Sequence, residues 1–263
     1  MIFTNHNKNP ERTLPPLHQA PLSRHLALTF STALLLTATT LATLTAAHAD
    51  PTPAPPAEAA TPADTFSPVE TLLFMTDHLK SLPPRATVLH YHFAKTGSYE
   101  AGYEDDVTLS IDAATKGEDG RNAKLDFLTG DHKAELPPVA AAHGNPVILG
   151  FLERDIREMK RITGGSPDYY RKRLRLAMVD AKEVKPVQVK WGGKSIKADE
   201  MTLDPYKDDP VRSRFARYAN KLYTFVLSDQ VPGGVVSLKT AMRDGSNTGK
   251  IMIEENLSLV ESK

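Results

Sequence analysis

Residues 145–165 read NPVILGFLERDIREMKRITGG, and no other segment carries so complete a set of local signals. Asn145 is placed to cap a helix, and Pro146 suits its first position because a proline there forfeits no intrahelical bond. Ile148, Leu152, Ile156 and Met159 recur at three- and four-residue steps, which puts them on one face. Glu153 with Arg157, and Arg154 with Glu158, stand four apart, a spacing that supports an exposed helix face by a few tenths of a kcal/mol per pair. Lys160 and Arg161 complement the negative end of the helix dipole, and Gly164-Gly165 stops it. The spacing predicts a helix from Pro146 to Thr163.

On both sides of this helix the periodicity switches to two. Before it, Val88, His90 and His92 alternate with Leu89, Tyr91 and Phe93, followed by alternations at Val107, Leu109, Ile111 and at Ala123, Leu125, Phe127. Gly97, Gly102 and KGEDG (residues 116–120) mark turns. After it, Leu174, Leu176 and Met178 alternate with arginines, and strands are expected around Val187–Trp191, Ile196–Leu203, residues 218–227, 235–242 and 251–260. An opening helix is expected from Ser67 through Leu82: Ser67, Pro68 and Glu70 form a capping box, and Leu72, Leu73, Met75, Leu79 and Leu82 make its stripe. Helix, strands, helix, strands with hairpin-length links is the order of an α+β fold, not of alternating βαβ units. The expected architecture is a curved antiparallel β-sheet, half-barrel-like, packed around two or three helices.

Outside this body the composition changes. Lys8, Arg12 and Arg24 precede an uncharged run, LALTFSTALLLTATTLATLTAA (residues 26–47), and Ala47-His48-Ala49 places small residues at the minus-three and minus-one positions. These are the parts of a cleavable secretory signal. Residues 1–49 are therefore expected to be the signal peptide, residues 50–64 (DPTPAPPAEAATPAD) a Pro/Ala linker, and residues 65–263 a single domain. The chain has no cysteine, so neither a disulfide nor a lipidated cysteine is available to it. Removing the signal takes three basic residues and Glu11 from totals of 32 and 32, leaving a formal charge of −2. That balance lacks the basic excess of a nucleic-acid binder. The expected location is the periplasm or the medium, with no membrane span after cleavage.

Chemistry-bearing patterns are sparse. His90-x-His92 on a strand puts two imidazoles on one face, but no third metal ligand follows at a local spacing, so no metal and no cofactor are expected. Arg171, Arg173 and Arg175 form the one basic cluster, a candidate contact for an anion or a lipid head group. No nucleophile elbow, zinc-protease motif, phosphate loop or dinucleotide fingerprint is present, so no catalytic residue is assigned.

The stretches LHYHFAKTGSYEAGYEDDVTLSI (residues 89–111), residues 145–178 and YTFVLSDQVPGGVVSLKT (residues 223–240) resemble an uncharacterised family of exported bacterial proteins. In layout the chain is also similar to the LolA/LolB-like periplasmic carriers. That resemblance implies a half-open barrel lidded by helices over an apolar cavity, and it assigns no individual residue.

The function expected on these grounds is a non-catalytic periplasmic binder of a lipid or other apolar ligand. An envelope assembly or interaction protein is the alternative, and a hydrolase without a recognisable motif a more remote one. The expected lining is Leu72, Met75 and Leu79 from the first helix, Leu152 and Met159 from the second, and Phe93, Phe127, Trp191 and Phe225 from strands. Amino-terminal sequencing of the protein from the cell envelope is predicted to start at Asp50; membrane-bound material starting at Met1 would refute the cleavage.

Overall fold

The computed structural model describes residues 66–245 and 249–260; the expected signal and linker lie outside the described residues. A short helix α1 (Pro68–Glu70) runs on as one wider π turn (Thr71–Met75). Strands β1 (Thr87–Thr96), β2 (Tyr103–Ile111), β3 (Arg121–Phe127) and β4 (Val139–Ala142) follow. Two helices, α2 (Pro146–Thr163) and α3 (Pro167–Asp180), come next. Five further strands complete the chain: β5 (Lys185–Trp191), β6 (Lys194–Leu203), β7 (Lys221–Leu227), β8 (Val235–Arg243) and β9 (Ile251–Leu259). All nine strands form one open, curved antiparallel sheet in the order β4-β3-β2-β1-β9-β8-β7-β6-β5. It is not closed into a barrel, since β4 and β5 are its two edges.

That order fixes where the helices go. The chain leaves the first meander at one edge strand, β4, and enters the second at the opposite edge, β5. The intervening residues must cross the sheet, and α2 and α3 are that crossing. Helix α2 packs on β3, near the edge the chain leaves, and α3 contacts β6, near the edge it rejoins. The two meanders are sewn into one sheet by β1 and β9, which pair Phe93 with Leu257 and Lys95 with Glu255.

Helix α2 ends as its sequence dictates: the Asn145 side chain accepts from the Val147 N–H, and Gly164 closes it in the left-handed conformation at φ 72°. Its stripe of Ile148, Leu152, Ile156 and Met159 is buried to 6 % exposure or less, each side chain contributing about 1.5–3 kcal/mol. Gly150 costs the helix about 1 kcal/mol of propensity relative to alanine. A Cβ there would lie 2.5 Å from the Leu125 side chain, so the glycine is what lets α2 lie directly on β3.

Three expectations are corrected. Residues 173–178 are helix α3, not a strand. Tyr170, Leu174 and Met178, four apart, are buried, whereas Leu176 and Val179 are exposed. The alternation of Leu and Arg fits both periods, and residues of high helix propensity behind Pro167 decide for the helix. The opening helix stops at Met75: Thr76 turns extended at ψ 132°. Asp77 Oδ1 accepts from the N–H groups of Leu79 and Lys80, offering the backbone a turn in place of another helical one. Strand β7 begins at Lys221, because residues 212–218 form a kinked 3₁₀ segment held by Arg212, which donates to the carbonyls of Tyr206 and Ala219.

Because α2 lies under its apolar stripe with Arg157 turned outward, the two faces respond differently to substitution. Ile156→Asp buries a carboxylate without a partner and is predicted to cost about 3 kcal/mol or more. Arg157→Ala is predicted to stay within about 0.5 kcal/mol. Urea melts check the pair; equal losses would show that the face assignment is wrong.

Candidate ligand cleft

Residues 76–82, past the end of the π turn, form a strap that is not helical yet holds buried side chains. His78, Leu79 and Leu82 are 6 %, 2 % and 8 % exposed. His78 is its anchor. The Asn145 N–H donates to Nδ1 at 3.1 Å, so the ring proton sits on Nε2, which donates to the Leu72 carbonyl at 2.9 Å. The same Asn145 donates its side-chain amide to the Tyr91 hydroxyl and to the Gly233 carbonyl, both at 2.8 Å. One knot thus ties the strap to the start of α2, to β1 and to the β7–β8 turn. Gly234 completes it: at φ 72° and with room for a Cβ only 3.0 Å from His78, the position requires glycine. The Leu79 N–H donates to the His143 carbonyl at 3.1 Å and secures the strap's middle.

Between the strap and the sheet end formed by β5, β6 and β7 lies a cleft of about 700 Å³. Leu72, Val187, Ala198 and Leu227 supply apolar wall; Thr76, Gln188 and Ser228 add neutral polar groups. Lys80, Lys197, Asp77, Asp199 and Asp229 stand around it, so its border carries both signs of charge. The register explains the mixture. Met201 pairs with Phe225, both fully buried, whereas Asp199, two residues back on the same pleat, pairs with Leu227. The inner face of β6 turns polar where the helices no longer cover it.

The expected lining lies elsewhere, Leu72 excepted. Phe93, Phe127, Met159 and Phe225 are fully buried and Leu152 is 6 % exposed; all five join the continuous core between sheet and helices, and none borders the cleft. Leu79 belongs to the same core, Trp191 is half-buried at its margin, and Met75 is 54 % exposed. The space under α2 is also more polar than expected. Arg154 and Glu158, whose spacing predicts an exposed pair, turn inward: Glu158 holds Lys95 at 2.7 Å, and Arg154 pairs with Glu255. Asp155 pairs with Lys221, both 1 % exposed, and accepts from the Tyr223 hydroxyl at 2.6 Å. Glu158 is held ionised far below the usual carboxylate range: burial opposes this, and the bonds from Arg161 and Lys95 outweigh it.

The arginine cluster is largely neutralised. Arg171 binds Glu153 at 2.8 Å and Asp168 at 2.7 Å, and Arg173 binds Asp209 at 3.0 Å, leaving Arg175 exposed on α3. His90 and His92 point to the outer face, and no metal-holding group of side chains occurs among the described residues. What the sequence did offer was the VPGG turn (residues 231–234), whose paired glycines signal a close approach, and a histidine inside an apolar stripe.

Burial pushes the His78 imidazole below its ordinary value, against the weaker upward pulls of the Leu72 carbonyl and Asp77. The folded protein thus binds this proton less tightly than the unfolded chain. The associated stability is complete above about pH 6.5 and is lost as pH falls from there through the lower folded value. Protonation also removes the acceptor of the Asn145 N–H. Melting temperature is predicted to drop more steeply between pH 7.5 and 5 in the wild type than in His78→Gln; parallel curves would refute the assignment.

No family model matches the chain, and no curated protein matches it. Among solved structures it is similar to the Mycobacterium tuberculosis lipoprotein LppX, at 12 % identity and a TM-score of 0.30, over 70 % of this chain and 88 % of that one. It is also similar to a LolA superfamily protein from Nitrosomonas europaea, at 11 % identity and a TM-score of 0.19, over 73 % and 91 %. Likenesses this slight speak to no chemistry, and the fold stands on the strand order and pairing of the chain itself.

Proposed function

We propose that this protein is an exported, non-catalytic carrier that holds a lipid or other apolar ligand in the cleft beneath the strap. The observation that carries the proposal is the cleft: about 700 Å³, mainly apolar in its wall, and set beside an open sheet edge. That volume falls within the range of small-molecule sites, which are mostly apolar with a few orienting polar groups. Burial of an apolar chain there contributes about 25 cal/mol per Å² removed from water. The charged border leaves a polar head in solvent near both cations and carboxylates. The strap, fastened by hydrogen bonds and not by regular structure, is the wall that gives way most readily when a ligand enters.

Titration of a fluorescent fatty-acid probe into the domain spanning residues 50–263 is predicted to show saturable, micromolar binding. Leu72→Trp fills the cleft while leaving the Leu72 carbonyl to accept from His78, and is predicted to weaken binding about tenfold, 1.4 kcal/mol. Met75→Trp, on the exposed side of the same turn, is predicted to change nothing. Absence of saturable binding, or equal loss in both variants, would overturn the carrier assignment in favour of an envelope interaction protein.

A further inference from the structure

Toward the other end of α2 lies a second hollow, of about 400 Å³, bounded by α2, the start of β2 and the turn at residues 130–134. Its charges do not balance. Glu100 binds Lys95 at 2.7 Å and Arg161 at 2.6 Å, Glu158 binds the same two cations at 2.7 Å, and Glu255, from below, takes Arg154. Three carboxylates are thereby matched with three cations, all of them held in place.

Two cations on the wall remain. Arg157 is exposed, and its hydrogen bond is a long one, 3.5 Å, to the Glu135 carbonyl. Its neighbour Glu153 feels its charge but spends both oxygens on hydrogen bonds from Arg171. Lys133 meets only the Glu135 carboxylate at 3.5 Å, where that side chain is 87 % exposed, an arrangement worth at most about 1 kcal/mol. A neutral donor faces the same space. The Tyr103 hydroxyl accepts from Arg154 Nη2 at 3.0 Å, which leaves its own proton to give. Its ring is fixed by stacking on His132, at 3.8 Å between centroids and 5° between planes.

We infer that this hollow binds a phosphate-class dianion, with Arg157 and Lys133 meeting its two charges and the Tyr103 hydroxyl donating to one of its oxygens. A planar guanidinium grips two oxygens of a tetrahedral anion and an ammonium a third. The ion pairs tie β1, the β1–β2 loop and β9 to α2 around the hollow that all three donors line. The site is separate from the strap cleft: Asn145 and Arg157 are twelve residues apart along α2, about 18 Å at 1.5 Å per residue. It does not depend on what the cleft holds.

Isothermal titration of the domain with inorganic phosphate, and in a second arm with soluble dihexanoyl phosphatidic acid, tests the inference. Arg157→Gln lies on the exposed face and keeps the fold; it and Tyr103→Phe are each predicted to weaken binding about tenfold, as loss of a charge-assisted or buried hydrogen bond requires. Arg175→Gln on α3 is predicted to leave binding unchanged. Arg157-dependent binding of both compounds identifies a phosphate-bearing small ligand; Arg157-dependent binding of the lipid alone identifies a head group. The inference is overturned if neither compound binds saturably, if Arg157→Gln and Arg175→Gln behave alike, or if lipid binding responds to Leu72→Trp but not to Arg157→Gln.

Discussion

The first meander ends at one edge of the sheet and the second begins at the other, so the chain between them has to travel the sheet's width. A loop making that journey would leave many backbone groups buried without partners. Two helices satisfy those groups internally, and their amphipathic stripes cover the inner face that a nine-stranded open sheet would otherwise expose. The close approach at Gly150, the continuous core through Phe93, Phe127 and Phe225, and the outward turn of Arg157 all follow from that crossing.

Charge, and not only apolar packing, fixes how α2 sits. Lys95 and Glu255 are register partners on β1 and β9 and face the helix, where Glu158 and Arg154 meet them; Asp155 meets Lys221 on β7. Removing ions from water costs several kcal/mol each, and pairing at best offsets this. The return is in specificity, since a rotated or shifted α2 would leave these charges buried and alone. These pairs lie between helix and sheet beside the continuous apolar core, where the half-barrel expectation puts an apolar cavity.

Space for a ligand therefore opens at the two ends of the crossing. At the amino-terminal end of α2 the inner face of β6 becomes polar at Asp199, the helices no longer cover it, and a strap anchored by one neutral histidine closes the gap. At the carboxy-terminal half, Arg157, Lys133 and Tyr103 line a hollow beside a set of ion pairs that has already consumed its own acids. The first is the proposed place for an amphiphile and the second for a compact anion.

Helix α2, with its cap, stripe and glycine stop, was legible in the sequence because every signal for it lies within twenty-one consecutive residues. The strands of β1 to β3 were legible as alternation, and with them the α+β class. Helix α3 was not, because a Leu/Arg alternation satisfies periods of two and of four at once, and only burial of Tyr170, Leu174 and Met178 against the fold separates them. The same holds for the sites. Sequence determined which side chains are apolar enough to be inside, and Phe93, Phe127, Leu152, Met159 and Phe225 are inside. Whether an inside residue meets another side chain or an open space depends on pairings such as β1 with β9, between residues more than 150 positions apart. Local periodicity cannot encode a partner at that distance, so the filled core, the inward charges and the strap cleft were decided by tertiary structure alone.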